Sequence, residues 1–590
     1  MGQSYGVKVF FFGRAVPRIM MPRPGAMRLI QRLLIVTSIE KLLGGLRRKA
    51  HGKEEGNGDE RCRASAGQAK LYNHIRVEAA EKPAFNVIRF GPCYNDYLPS
   101  SSPIVTLDIG TSSVRSLLFD TTGREVDGVG GQVKYQVHIT PDGGFEMDAD
   151  ELVRLTVQAL DELCSEMREK NLKPCGVAID TFWHSVAGLD KSGKPLTPIL
   201  HLFDTRAADA AKRLAQRIDN EAQHARTGCV LHASYYPAKL LWLSETEPDV
   251  FARVTRWVSF GEYLFLRLFG DAVASSSMLS GTGIWNQNAN DYDMELLREL
   301  PVQLENFAPK SEMDQPRDRL RSEFRNRWPE LDGIPWFPAL GDGACNNVGS
   351  GCISRDRFAL MVGTSGAMRA VIEADRVEIP KGLWCYRVDP RRFVLGGALS
   401  NGGSVYAWMK DTLKLPDDAE LERRLEGMVP GAHGLTVLPL FAGERSTGWR
   451  ADARAAFTGI SAHTDPTEMV RAALESVALR FRNIYEFMCR SIGEPSEVIA
   501  SGGALLHSPV WTQMMADALG RKVHACVEKE ATSRGAALLA LERLGAIPSI
   551  QSRQPEMGDI FEPIEGNRPI YEAMLDRQRR LYQKLFEENW

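Results

Sequence analysis

Residues 104–120 read Ile-Val-Thr-Leu-Asp-Ile-Gly-Thr-Ser-Ser-Val-Arg-Ser-Leu-Leu-Phe-Asp, and this stretch decides the fold. Apolar runs at 104–107 and 114–119 flank the segment Gly110-Thr111-Ser112. This pattern predicts two strands joined by a turn whose tip offers backbone N–H groups and two hydroxyl groups. Apolar residues at helical spacing over 150–167 and a buried strand at 176–180 follow, which indicates an α/β domain.

The same turn occurs a second time, at Gly363-Thr364-Ser365, and apolar strands again lead in and out of it. Agreement in context as well as in letters indicates duplication of one domain. Two such turns facing each other across a cleft would bind a polyphosphate, because glycine lets the backbone approach phosphate oxygens closely. The predicted phosphate-binding residues are Gly110, Thr111, Ser112, Gly363, Thr364 and Ser365.

The two copies differ just before the turn, where Asp108 in the first copy corresponds to Met361 in the second. Magnesium is usually held by one or two carboxylates together with phosphates and waters. Asp108 is therefore predicted to lie on the magnesium side of the site. The alternative is that Asp108 only caps a turn.

Another carboxylate lies between two glycines, in Gly341-Asp342-Gly343, just before the second copy of the turn. Small residues typical of a helix start follow it. Asp342 can be the N-cap of that helix, a general base in a cleft that takes a hydroxyl proton, or both.

Two further glycine-rich segments lie at 396–404 and 501–509. Glycines between a strand and a helix suit a flat ligand that lies on bare backbone. In the second segment, Ser508 as an N-cap and Pro509 in the first turn predict a helix over 510–519.

Composition limits the class of protein. The 590 residues are 44% hydrophobic and 25% charged, which is too long for one core and too apolar for disorder, so we expect two or more domains. With a net charge of -3, the chain as a whole lacks the excess of positive charge that is typical of nucleic-acid-binding proteins. The ten cysteines include no Cys-x-x-Cys pair, which favours buried thiols in a reducing compartment over zinc or disulfides.

The N-terminus differs from the rest of the chain. Residues 1–50 carry ten basic side chains and one acid, and the apolar run 29–46 is too interrupted by charges to span a bilayer. This leader can be an organelle transit peptide, or a disordered extension or translated upstream region. We expect residues 1–102 to lie outside the fold. The predicted location is the cytoplasm, or an organelle if residues 1–50 are a transit peptide.

Five motifs occur in the order seen in the FGGY carbohydrate kinases, and the chain resembles that family from about residue 104 to residue 546. The motifs are Asp108-x-Gly-Thr-Ser112, Gly341-Asp-Gly343, Gly363-Thr-Ser-Gly366, Gly443-Glu-Arg445 and Ser501-Gly-Gly-Ala504. The resemblance implies an α/β fold of two ribonuclease-H-like domains, as in the actin and hexokinase ATPases, closing on a cleft that holds MgATP and a sugar or polyol. The resemblance implies an N-terminal domain at 103–354 that binds sugar and phosphate and carries the catalytic base, and a C-terminal domain at 355–546 that binds the nucleotide. A tail at 547–590 follows, with a helix at 571–586 that packs on the second domain.

The resemblance also implies roles for individual residues. Asp342 corresponds to the catalytic base and Asp108 to the carboxylate near magnesium. Gly402, Gly503 and His507 match positions that line the adenosine pocket.

The segment Trp183-His184-Ser185 and the surroundings of Asp342 look most like the gluconate kinase branch. A sugar acid needs a cationic partner for its carboxylate. The expected substrate-binding residues are Trp183, His184, Arg206, Lys239 and Asp342, with Arg445 as a further cationic candidate. Trp183 is bulkier than the residue expected before that histidine, and Ser446-Thr-Gly448 departs from the usual pattern after Glu-Arg, which leaves the sugar open.

The expected reaction is ATP-dependent transfer of the γ-phosphate to a terminal hydroxyl, with Mg²⁺, from D-gluconate to 6-phosphogluconate. The alternatives are a ketose such as xylulose or another polyol as acceptor, and a non-catalytic ATP-binding regulator of the same fold. The expected partners are a small sugar or sugar acid, with no nucleic acid and no membrane; a homodimer is possible.

Overall fold

A computed structural model describes residues 102–587. The leader predicted for residues 1–102 lies, up to residue 101, outside the described residues. Strands and helices are numbered along the described part of the chain.

The strands are β1 (Ile104–Ile109), β2 (Ser113–Phe119), β3 (Glu125–Lys134), β4 (His138–Ile139), β5 (Phe145–Met147), β6 (Val177–Thr181), β7 (Ala187–Leu189), β8 (Ile199–Leu200), β9 (Arg256–Val258), β10 (Trp285–Asn286), β11 (Asp291–Tyr292), β12 (Leu340–Gly341), β13 (Arg357–Val362), β14 (Gly366–Glu373), β15 (Trp384–Arg387), β16 (Arg392–Leu399), β17 (Thr436–Leu438), β18 (Ala456–Thr458), β19 (Glu497–Ser501), β20 (Val523–Cys526) and β21 (Met557–Phe561).

The α-helices are α1 (Ala149–Glu169), α2 (Ala208–Ala215), α3 (Asn220–Thr227), α4 (Tyr236–Thr246), α5 (Pro248–Phe251), α6 (Phe260–Phe269), α7 (Ser276–Ser280), α8 (Met294–Leu297), α9 (Ser322–Arg327), α10 (Asp342–Gly349), α11 (Gly403–Thr412), α12 (Asp418–Glu426), α13 (Pro466–Ile492), α14 (Gly503–Leu506), α15 (Pro509–Leu519), α16 (Ala531–Leu544) and α17 (Arg568–Phe586). Short 3-10 helices lie at Leu304–Asn306, Ile550–Ser552 and Glu565–Asn567.

The first large sheet has the strand order β12-β6-β1-β2-β3. β1 pairs antiparallel with β2 and parallel with β6, and β6 pairs parallel with β12. The predicted hairpin is therefore confirmed. The helix predicted over 150–167 is α1, which begins after Asp148, whose side chain accepts a hydrogen bond from the N–H of Glu151.

The second large sheet has the order β15-β16-β14-β13-β19-β20-β21. β13 pairs antiparallel with β14 and parallel with β19, and β19 pairs parallel with β20. These pairings repeat those of β1 with β2 and β6, and of β6 with β12. The duplication predicted from the repeated turn is thus present as a repeated sheet topology, and the two-domain α/β fold is confirmed.

One apolar core lies around the first sheet and also takes in Val371, Trp384, Tyr386 and Val394 of the second, and a separate core lies against the second sheet. The C-terminal helix α17 belongs to the second core through Tyr571, Met574 and Leu575, as the sequence predicts. The predicted helix after residue 508 is α15, and the side chain of its N-cap Ser508 accepts a hydrogen bond from the N–H of Trp511.

Helices α10 and α16 connect the two halves of the fold. α16 follows strands of the second sheet in the sequence, yet it packs against α10 and against β1 and β6 of the first sheet. The two helices approach at backbone distance: a Cβ added at Gly349 would lie 1.7 Å from the backbone oxygen of Ala531, and one at Gly535 would lie 1.8 Å from that of Cys345. Only glycine fits at these two positions.

Between residues 102 and 587, no helix is both long and apolar enough to cross a membrane. The cysteines of this part of the chain are free thiols, and all but the half-buried Cys489 are buried.

We predict that Gly535→Ala destabilises the protein. Replacing glycine by alanine inside a helix normally stabilises it by about 0.5–1 kcal/mol. Here the new methyl group would overlap the backbone of α10, and such overpacking costs about 1–3 kcal/mol. Urea unfolding should therefore give a lower free energy of unfolding. Gly566→Ala, at a position with nothing within 4 Å of the added Cβ, is the control; equal stability of the two variants would contradict the helix contact.

Candidate functional site

Three carboxylates gather at the ends of three neighbouring parallel strands. Asp108 lies near the end of β1, and its register partner on β6 is Asp180. Asp342 follows β12 directly and is the first residue of α10. Because the carboxyl ends of parallel strands meet at one sheet edge, the register alone brings these side chains together.

The cluster is short of positive charge. Arg115 lies with Nη1 3.3 Å from Asp108 Oδ2 and 3.5 Å from Glu530 Oε2. Burial raises the pKa of Asp108, although Arg115 opposes the shift. Asp180 is fully buried, and its pKa lies well above the usual range because of that burial, with the charges of Asp108 and Asp342 adding to it.

Asp342 lies at the start of α10, after Gly341. The N-cap position that the sequence offered to Asp342 belongs to Gly341, and Asp342 Oδ1 accepts a hydrogen bond of 2.7 Å from the N–H of Gly343. Burial raises the pKa of Asp342 to about 6, although the Gly343 N–H and the guanidinium of Arg369 oppose the shift. A carboxyl group in this state can exchange a proton near neutral pH.

Trp183 forms the wall beside Asp342. Its indole N–H donates to the backbone oxygen of Ser277 at 2.9 Å, and a Cβ added at Gly341 would lie 1.9 Å from the indole ring. The glycines on both sides of Asp342 are therefore needed to admit the tryptophan. The large indole ring of Trp183 packs directly against the backbone on both sides of Asp342.

The two Gly-Thr-Ser turns lie at matching places in the two sheets. In the first, the N–H of Gly110 donates to the backbone oxygen of Ser113 at 3.0 Å; in the second, the N–H of Gly363 donates to that of Ser365 at 2.9 Å. Ser112 and Thr364 are exposed at the two tips. The turns thus leave hydroxyl groups accessible to a ligand.

In the second lobe, three glycine-rich segments meet. The N–H of Gly402 donates to the backbone oxygen of Thr364 at 2.9 Å, and that of Gly403 to Gly363 at 2.7 Å. A Cβ added at Gly403 would lie 3.0 Å from the Cβ of Ala504, and one at Gly503 would lie 3.6 Å from the ring of His507. The structure therefore brings together the predicted nucleotide-binding residues of this lobe, which are Gly363, Thr364, Ser365, Gly402, Gly503 and His507.

Contacts between the lobes surround Asp342. Arg369 on β14 reaches across to α10, with Nη1 3.3 Å from the backbone oxygen of Gly343 and 3.4 Å from Asn346 Oδ1. The hydroxyl groups of Tyr235 and Tyr386, from opposite lobes, lie 2.6 Å apart. Asp342 is therefore at the junction of the two lobes.

His184 lies in an aromatic pocket beside Trp183. Its ring makes edge contacts with the rings of Tyr235 and Tyr386, and Nδ1 donates to the backbone oxygen of Gly281. Its φ of 65° is uncommon for a residue with a side chain. Burial lowers the pKa of His184 to about 3 and that of His232 to about 4, and the charge of Arg445 contributes to both shifts. Both histidines are neutral at pH 7.

Lys239 does not play the direct role that the sequence predicted. It is almost completely buried, and Nζ lies 2.8–3.3 Å from four backbone oxygens, those of His184, Leu200, His201 and Ser234. Its three donors are used in full, which leaves none for a substrate carboxylate. Lys239 instead fixes the backbone that carries His184.

Arg206 also has its charge balanced within the protein. Its Nη2 lies 2.6 Å from Asp204 Oδ2 and 2.7 Å from Glu146 Oε1, and the guanidinium lies over the ring of Trp242. Binding a substrate carboxylate through this arginine would require these ion pairs to rearrange.

Arg445 differs from Lys239 and Arg206 in the partners of its charged group. Among the described residues, none forms a hydrogen bond or ion pair with its guanidinium. The backbone around it is nonetheless held: Glu444 binds Arg480 and Tyr582, and Ser446 exchanges hydrogen bonds of 2.9 and 3.0 Å with Ala398 on β16. We call residues 443–449 the Arg445 loop.

Sequence reasoning missed several residues of this site. Asp180 carried a usable signal, since an acid at the end of a buried strand is unusual. Tyr235 and Tyr386 carried none, because their place in the pocket depends on contacts between the lobes. Within residues 102–587, no three His, Cys, Asp or Glu side chains could hold a metal ion unaided. The adjacent carboxyl groups of Asp108 and Asp180 nevertheless fit magnesium that arrives with phosphate and water ligands.

Two sheets of the same topology, each with a Gly-Thr-Ser turn, thus lie on either side of the half-buried carboxylate of Asp342. Residues 103–349 match the N-terminal domain, and residues 358–542 the C-terminal domain, of the FGGY family of carbohydrate kinases. The chain belongs to this family, which confirms the resemblance noted in the sequence.

The chain is similar to a gluconokinase of Bacillus subtilis, with 27% identity over 80% of this chain and 94% of that protein. It is also similar to a xylulose kinase of Staphylococcus xylosus, with 22% identity over 81% of this chain and 99% of the relative. Among solved structures, a gluconate kinase from Lactobacillus acidophilus matches with a TM-score of 0.76 and 24% identity, covering 82% of this chain and 98% of that one.

Proposed function

We propose that this carbohydrate kinase is a gluconokinase, which transfers the γ-phosphate of ATP to the terminal hydroxyl of D-gluconate and forms 6-phosphogluconate. The observation that carries the choice of a sugar acid is the unpaired guanidinium of Arg445 beside the aromatic pocket of His184. The likeness to gluconokinases supports the same choice. Similar xylulose kinases make a ketose the second candidate.

In the proposed reaction, Asp342 is the base. Its carboxylate takes the proton of the terminal hydroxyl as that oxygen attacks the γ-phosphorus in line with the leaving oxygen of ADP. The N–H and hydroxyl groups of the turns at 110–112 and 363–365 bind the phosphate oxygens. The backbone at Gly402 and Gly503 forms the surface on which the nucleoside lies, near His507. Magnesium, when bound, neutralises charge on the phosphates, and Asp108 would hold it.

The proposed sugar site uses neutral donors and acceptors for the hydroxyl groups and one cation for the carboxylate. His184 and His232 are uncharged: Nδ1 of His184 donates to Gly281, which leaves Nε2 as an acceptor, and Nδ1 of His232 accepts from the N–H of Ser234, which leaves Nε2 as a donor. Arg445 can bind a carboxylate through two parallel N–H···O bonds. The loop is anchored on both sides of Arg445, so little ordering of the backbone accompanies binding.

The remaining expectations stay proposals. We propose ATP and Mg²⁺ as the working nucleotide and ion, a small sugar acid as partner, and the cytoplasm as location unless residues 1–50 are a transit peptide. A homodimer is possible.

Release of ADP from ATP, measured with a set of acceptors, tests the function. We expect D-gluconate to give the highest kcat/KM among gluconate, xylulose, glycerol and related polyols. Preference for xylulose would establish the second candidate, and nucleotide binding without ADP release for any acceptor would establish a non-catalytic regulator.

Asp342→Ala should keep ATP binding and lose on the order of 10²–10⁴ in turnover, the usual effect of removing a positioned base.

We predict that kcat/KM falls as the pH is lowered through about 6. Burial raises the pKa of Asp342 to about 6, and only the ionised carboxylate can accept the hydroxyl proton. The rate should therefore drop about tenfold per pH unit on the acid side of that value. Initial rates from about pH 5 to about pH 8 measure the profile. An acid limb near the ordinary pKa of an aspartate, about 4, would contradict this assignment.

We predict that Arg445→Gln weakens gluconate binding selectively. A hydrogen bond to a charged group contributes about 1.5–3 kcal/mol, so the KM for gluconate should rise about 10–100-fold with a smaller change in kcat. The kcat/KM for xylulose, which has no carboxylate, should change by less than about threefold. Arg454→Gln, an exposed arginine further along the chain, is the matched control. Equal losses for both acceptors would show that Arg445 does not read the carboxylate.

A further inference from the structure

Asp180 is a fully buried carboxyl group whose side-chain partner is another carboxyl group, that of Asp108. Its exposed fraction is 0%, and neither carboxylate oxygen accepts a hydrogen bond from any residue between 102 and 587. Burial of a charged group in this state is unfavourable unless a cation or a proton compensates it. The structure therefore contains a position prepared for a positive charge.

The nearby cations serve other groups. Arg115 bridges Asp108 and Glu530, and Arg369 binds the backbone and the side-chain oxygens at the start of α10. The parallel register places Asp180 opposite Asp108, with both side chains on the same face of the sheet. Asp108 and Asp180 thus form a pair of adjacent carboxyl groups, and between residues 102 and 587 Arg115 is the cation paired with them.

The duplicated lobe provides an internal comparison. β13 and β19 of the second sheet pair in the same way as β1 and β6, and Met361 lies opposite Ser501 where the first lobe has Asp108 opposite Asp180. Both carboxyl groups therefore lie in the first lobe, and the equivalent positions of the second lobe have no carboxyl group. This distribution is unexpected for a carboxyl group that only fills space in a shared fold.

We propose that Asp180 is a second carboxylate of the magnesium site and holds the ion together with Asp108 when nucleotide is bound. Two carboxylates, phosphate oxygens and waters form the usual coordination of magnesium. The proposal rests on the nucleotide site of the proposed function and does not depend on which sugar is phosphorylated. The alternative is that Asp180 holds a proton at all times and has no part in metal binding.

The test measures Mn²⁺ and nucleotide binding, without any acceptor or turnover. Electron paramagnetic resonance gives the affinity of the full chain for Mn²⁺ in the presence of AMP-PNP, and calorimetry gives its affinity for AMP-PNP with excess EDTA. For Asp180→Asn, we expect Mn²⁺ binding to weaken about 10–100-fold, the range typical of disturbed metal sites. Binding of metal-free AMP-PNP should stay within about threefold of the unchanged protein, because Asp180 is not among the groups that bind phosphate.

Asp180→Ser, which copies Ser501 of the second lobe, is a second variant, and its metal-free AMP-PNP binding reports whether it is folded. Asp161→Asn is the matched control, since that carboxylate pairs with Arg327 and the indole N–H of Trp328. Unchanged Mn²⁺ affinity in either folded Asp180 variant would overturn the proposal. Failure of the unchanged protein to bind AMP-PNP would refute the nucleotide site itself, whereas failure to phosphorylate gluconate would leave this result intact.

Discussion

The need of buried carboxylates for a countercharge governs the cleft. Asp108, Asp180 and Asp342 are fixed together by strand register, so the protein cannot separate them without breaking the first sheet. Arg115 lies near the first and Arg369 near the last, which leaves the cluster short of positive charge. A triphosphate would add further negative charge to the same place. In the proposed mechanism the metal ion therefore strengthens nucleotide binding, because it relieves part of the repulsion between the polyphosphate and these carboxylates.

Duplication of one sheet topology has produced two lobes with different chemistry. Both retain the hairpin with its Gly-Thr-Ser turn, which is the part of each lobe proposed to bind phosphate. The first lobe adds carboxylates at the strand ends. The second has Met361 and Ser501 at those ends and adds glycine segments at 402–403 and 502–503, where the backbone itself is the proposed binding surface. Charge is thereby confined to the side where the phosphoryl group is proposed to move.

Local patterns in the sequence were sufficient for much of this arrangement. The hairpins, the helix after Ser508 and the glycine-flanked Asp342 follow from turn residues, capping residues and apolar spacing, which act over a few residues. Lys239 could not be assigned in this way, because its role depends on four backbone oxygens that come from separate segments. The surroundings of Asp180 could not be predicted without the strand register, because the register decides which residue lies opposite an acid at a strand end. The packing of α16 on the first sheet likewise depends on the approach of two backbones at Gly349 and Gly535.

The proposed sugar site is divided between the lobes, and this division links recognition to chemistry. His184 is held in the first lobe by Lys239, whereas Arg445 is held in the second by the hydrogen bonds of Glu444 and Ser446. A gluconate that spans both would favour the approach of the lobes, which also brings the second phosphate-binding turn toward Asp342. A water molecule cannot span that distance. Binding energy from the carboxylate end of the sugar would thus be used to assemble the reacting end, which disfavours hydrolysis of ATP when no acceptor is bound.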